Sequence, residues 1–73
     1  MYYINLTKIV NGKQYNELIL KTKDKHKADL AFEGTLLGLR YELKDKRIGE
    51  IVLKNKVKFK YENTVITVTL KED

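Results

Sequence analysis

Apolar and polar positions alternate at both ends of the chain and recur at helical spacing in its middle. Residues 2–10 and 13–21 read as two strands around Asn11-Gly12, a dipeptide suited to a tight hairpin. Ile4 and Leu6 can share a face with Leu18 and Leu20. A strict two-residue loop would set Leu6 opposite Glu17. The pattern therefore predicts a bulge or a slightly longer loop that shifts the register by one.

Thr22 or Asp24 then caps a helix, since either side chain can accept from a free backbone N–H. Ala28, Ala31, Phe32, Thr35, Leu36, Leu39 and Leu43 fall on one side at a 3.6-residue period. The helix is expected to run from about Asp24 to between Gly38 and Leu43. If Gly38 were instead a C-cap, "LRYELK" would alternate as a strand. The longer helix is favoured because Leu39 and Leu43 continue the stripe.

After the polar turn "KDKRIG", three strands are expected at about 48–54, 57–62 and 65–70. A loop at Asn63-Thr64 would pair Tyr61 with Ile66, Phe59 with Val68 and Val57 with Leu70. Every apolar side chain then shares one face, with Lys60/Thr67 and Lys58/Thr69 on the other. Ile51 and Leu53 would join the apolar face through a loop at Asn55-Lys56-Val57. The expected fold is a single α+β domain over residues 1–73, ordered ββαβββ, with one amphipathic helix packed on an antiparallel sheet.

Composition agrees with that size of core. Apolar residues make up 42% and charged residues 34%, a balance suited to a folded domain rather than a disordered tail. Cysteine and proline are absent. Without cysteine, and with no basic, long-apolar leader in "MYYINLTKIV", the expected location is the cytoplasm. No apolar run is long enough to span a bilayer as a helix.

Thirteen lysines and two arginines against ten carboxylates give a net charge of +5. Such a field attracts polyanions or acidic protein surfaces. The lysine excess, with many Asn, Ile and Tyr, also fits codon bias in an AT-rich genome, as in low-GC bacteria and their phages.

Catalytic chemistry finds little support. Serine is absent as well as cysteine, which removes the two commonest nucleophiles. His26, the one histidine, cannot build a His/Cys metal cluster alone and reads as a solvated surface residue. Gly12, Gly34, Gly38 and Gly49 fit no nucleotide-binding fingerprint. The expectation is a non-enzymatic binding module with no catalytic residue, metal, cofactor or small-molecule substrate.

Three surfaces could carry binding. In "KNKVKFKYEN", Lys58 and Lys60 stand on the outer sheet face, with Lys54 and Lys71 near them, and such a face could neutralise phosphates of DNA or RNA. Phe59 and Tyr61 point the other way and offer no base-stacking platform. The plainer account of this row is a solvated strand face. Around the helix start, in "KTKDKHKAD", Lys21, Lys23, Lys25 and Lys27 cluster against the helix dipole, a conflict that a bound anion would resolve, with Lys23, Lys25 and Lys27 the candidate ligands. On the helix itself, Leu30, Gly34, Leu37, Gly38 and Tyr41 form a second face of low polarity, suited to a homodimer or a protein partner unless the fold covers it. Nucleic-acid binding leads this reading. The alternative is a protein-interaction module, such as a homodimeric accessory protein or a small phage-type inhibitor of a host protein.

Overall fold

The computed structural model describes residues 1–73 and has the element order β1 (Tyr2–Val10), β2 (Lys13–Thr22), α1 (Lys25–Glu42), β3 (Gly49–Leu53), β4 (Lys56–Tyr61) and β5 (Thr64–Glu72). The strands form one antiparallel sheet in the order β2-β1-β5-β4-β3. The helix lies over β1, β2 and β5. It is the expected ββαβββ arrangement, with the longer of the two helices.

Asp24 starts that helix. Its side chain accepts from the backbone N–H groups of His26 and Lys27, and Leu43 closes the other end through its N–H to the Leu39 carbonyl. The predicted stripe turns inward. Ala28, Phe32, Leu36 and Leu43 are buried, while Ala31, Thr35 and Leu39 are half-buried. Against them pack Ile4, Val57, Phe59, Ile66 and Val68, and Phe59 is sealed completely. Burying each such large side chain stabilises the fold by roughly 1.5–3 kcal/mol before entropy is counted.

The β1–β2 loop is the strict two-residue one. Asn11 and Gly12 take φ of 50° and 82°, as a type I′ turn requires. Leu6 therefore does face Glu17. The bulge lies further along: Asn5 pairs with Leu18 and Ile4 with Leu20, leaving Ile19 as the extra residue. Only Leu20 thereby regains the face of Ile4. Leu18 stays on the solvent side, contrary to the expectation, and is exposed.

Two further registers differ from those expected. The β4–β5 turn is Glu62-Asn63, so Tyr61 pairs with Thr64, Phe59 with Ile66 and Val57 with Val68. This is a shift of two residues, and a shift of two leaves each side chain on its face. The β3–β4 turn is Lys54-Asn55 rather than a three-residue loop. Ile51 then faces Lys58 and Leu53 faces Lys56, on the outer face, and Val52 opposes Val57 on the helix side. Here the change is odd, so the faces exchange.

Candidate polyanion-binding face

With the helix on one side only, the other side of the sheet is open to solvent. Its rows follow from the strand pairings. Leu18, Asn5, Thr69, Lys56 and Leu53 form one, and Asn16, Thr7, Thr67, Lys58 and Ile51 the next. Gln14, Ile9, Val65, Lys60 and Gly49 form a third, while Lys21, Tyr3 and Lys71 line up at the far end. Lys21 rests on the Tyr3 ring, its Nζ 5.7 Å from the centroid. Asn16 Oδ1 accepts from the Thr7 hydroxyl at 3.1 Å and from the Gln14 amide at 3.2 Å, which leaves the Asn16 amide group free to donate outward.

The charges are sorted by face. Lys21, Lys56, Lys58, Lys60 and Lys71 all project from the outer side, and no carboxylate of a strand residue does. Glu17, Glu50 and Glu72, the acidic strand residues, lie on the helix side. Glu50 does not dilute the lysine row as its sequence position suggests. It is held by Arg40 of the helix, Nε to Oε1 at 3.0 Å and Nη2 to Oε2 at 3.1 Å, and this hydrogen bonding raises the guanidinium pKa above its ordinary value.

Lys58, Lys60 and Lys71 thus stand together on one face, as expected, although Lys58 faces Thr67 and Lys60 faces Val65. Lys54 does not join them. It lines a cleft of about 250 Å³ on the helix side, together with Tyr2, Lys25, Asp29, Leu70 and Glu72. Two residues of the outer face, Lys56 and Lys21, were missed from the sequence. The every-second-residue spacing carried Lys56, but the expected loop at 55–57 removed it from the strand. Lys21 was assigned to the helix approach instead.

At the helix start, Lys23, Lys25 and Lys27 are exposed. Two of the backbone donors that an anion would use there are already engaged, because Asp24 Oδ1 accepts from His26 N at 2.9 Å and Lys27 N at 3.2 Å. An internal carboxylate thus offsets the unfavourable first-turn lysines. On the far side of the helix, Leu30, Leu37 and Tyr41 are 59%, 62% and 71% exposed. Gly34 and Gly38 lie between them with open space where a Cβ would stand.

The single histidine is exposed and serves the cap through its backbone. No group of three or more His, Cys, Asp or Glu side chains is arranged to hold a metal ion. No helix is long and apolar enough to cross a membrane. The chain matches no protein-family model, and neither a curated protein nor a solved structure gives a match.

Proposed function

We propose that this protein is a non-enzymatic binding module whose outer sheet face holds the phosphate backbone of a nucleic acid. One observation carries the reading: Lys21, Lys56, Lys58, Lys60 and Lys71 share one face, while Glu17, Glu50 and Glu72, the carboxylates of the strands, lie on the other side of the sheet. Ammonium groups on alternate residues of β4 recur about every 6.7 Å along the strand, and the Thr67 and Thr69 side chains beside them can bond to phosphate oxygens, as can Asn16 further across the same face. The aromatic residues Phe59 and Tyr61 face the helix side, so readout of bases by stacking has no platform on β4. Binding by charge with little sequence preference is the expected behaviour. The test is titration of labelled single- and double-stranded DNA and RNA across a salt series. Affinity should fall with salt on a log–log slope steeper than about −3 on duplex DNA. Absence of binding at low salt would overturn the reading.

A second reading rests on the helix. Leu30, Leu37 and Tyr41 remain uncovered along one line, and the adjacent glycines leave room for another backbone. On this reading the helix docks an apolar surface of a different protein, and Leu37→Glu abolishes that association without unfolding the domain.

A further inference from the structure

The two edges of the sheet are built differently. β2 is defended against pairing with another chain: it is bulged at Ile19 and carries Lys13, Glu17 and Lys21. β3 carries only one charge, Glu50, and that carboxylate is taken up by Arg40. The strand is five residues long, unbulged and exposed throughout, and Ile51, Val52 and Leu53 are 45%, 61% and 55% exposed. An edge of three consecutive apolar residues with free backbone groups is a template for strand pairing.

Which backbone groups are free follows from the hairpin. Leu53 and Lys56 close a two-residue loop, so Leu53, Ile51 and Gly49 bond towards β4. The N–H and C=O groups of Glu50 and Val52 point outward.

We propose that β3 pairs antiparallel with β3 of a second copy of this chain, about a two-fold axis at Val52. This register sets Val52 against the partner's Val52 as a hydrogen-bonded pair. Ile51 meets the partner's Leu53 on the outer face, and Glu50, which stays bonded to Arg40, lies next to the partner's turn at Lys54. The side chains fit this register on both faces. On the helix side Val57 and Val52 run on into the partner's Val52 and Val57. On the outer side Ile51 and Leu53 fill the space between Lys58 and the partner's Lys56. An axis at Ile51 would set Glu50 against the partner's Val52, and one at Leu53 would set Val52 against the partner's Lys54. Neither Ile51 nor Leu53 has outward backbone groups, so the axis at Val52 is selected. The product is one ten-stranded sheet with both helices on the same side and a continuous outer face.

The pairing does not depend on what that face binds, and disulfide trapping tests it separately. The chain has no cysteine of its own. Val52→Cys should cross-link to itself on oxidation, since hydrogen-bonded pairs hold their Cα atoms about 5.5 Å apart, within disulfide range. Ile51→Cys alone should not, because its copies would lie on a diagonal of about 7–8 Å, whereas Ile51→Cys mixed with Leu53→Cys should. In sedimentation equilibrium the wild type should dimerise, and Val52→Lys should weaken the dimer at least about tenfold with an unchanged circular dichroism spectrum. A wild type that stays monomeric at the highest attainable concentration overturns the proposal. So does a dimer that survives Val52→Lys, or one that Leu37→Glu dissociates while Val52→Lys does not.

Discussion

Arg40 grips Glu50 at two points, Nε to Oε1 at 3.0 Å and Nη2 to Oε2 at 3.1 Å, joining the last turns of α1 to an edge strand that the helix does not cover. The pair is solvent-accessible, with side chains 40% and 29% exposed, so its net worth is about 1 kcal/mol or less despite the two-point geometry. Arg40→Leu should lower global stability by about that amount, and amide exchange should quicken in β3 more than in β1 or β5. The guanidinium pKa is raised, chiefly by the hydrogen bond from Arg40 to Glu50. A raised cationic pKa gives stability that is complete below the unfolded-state value and is lost as pH climbs through the folded one. Arg40 therefore contributes no pH dependence of stability around neutrality, and any found there in urea titrations must come from other groups.

The lysine face predicts a graded response. Lys56→Gln, Lys58→Gln and Lys60→Gln should each reduce the salt slope for duplex DNA by about one while the melting temperature stays nearly constant. Lys23→Gln and Lys27→Gln, at the helix start, should change it less. Equal effects from the two groups would show that net charge, rather than the sheet face, governs binding.

Asp24 should matter more to stability than to binding. Asp24→Ala removes the acceptor from His26 and Lys27 and should cost about 1 kcal/mol in chemical denaturation. Asp24→Asn keeps a capping oxygen and should recover most of that loss. Asp24→Ala leaves the His26 and Lys27 N–H groups free among the exposed lysines, and an anion such as sulfate should then stabilise it more than the wild type.

Gly34→Ala and Gly38→Ala should each stabilise the domain by up to about 1 kcal/mol, since both glycines are helical and neither added Cβ would meet an atom within 4 Å. If a protein partner docks on this face, the same changes should weaken its binding. A partner that tolerates both alanines would bind elsewhere.

The bulge separates two neighbouring leucines. Leu20→Ala should destabilise by about 2 kcal/mol, because Leu20 packs against the core. Leu18→Thr should fall within about 0.5 kcal/mol of the wild type, because Leu18 faces solvent. Thermal melts of the two variants check the register directly.

What could be read from the sequence depended on whether the pattern carried a phase. The helix stripe from Ala28 to Leu43 repeats often enough to fix its face, but Gly38 left its end open, and the structure places that end at Glu42. The β4–β5 turn was misplaced by one residue, yet Val57, Phe59, Ile66 and Val68 still face the core, because a two-residue slip preserves side-chain direction. β3 offered no such protection. Ile51, Val52 and Leu53 are all apolar, so alternation says nothing about which of them points inward, and one residue of loop length decided it. The same residue moved Lys54 to the cleft and brought Lys56 into the row. The partnership of Arg40 with Glu50 had no local signal, since it depends on where the helix ends above the sheet.

The strand order has a consequence for how the molecule assembles. β1–β2 and β3–β4–β5 are each local meanders, but the seam that joins them pairs Tyr2 with Glu72 and Val10 with Thr64, from opposite ends of the chain. Hairpins close on the microsecond scale, whereas a seam between distant segments must first offset the entropy of closing a long loop. The helix, emitted between the two halves, lies over β1, β2 and β5 and so bridges that seam. Closing this seam under the helix is the step expected to limit folding, and Ile4, Leu6, Val68 and Leu70, which meet across it, are where substitutions should slow folding most.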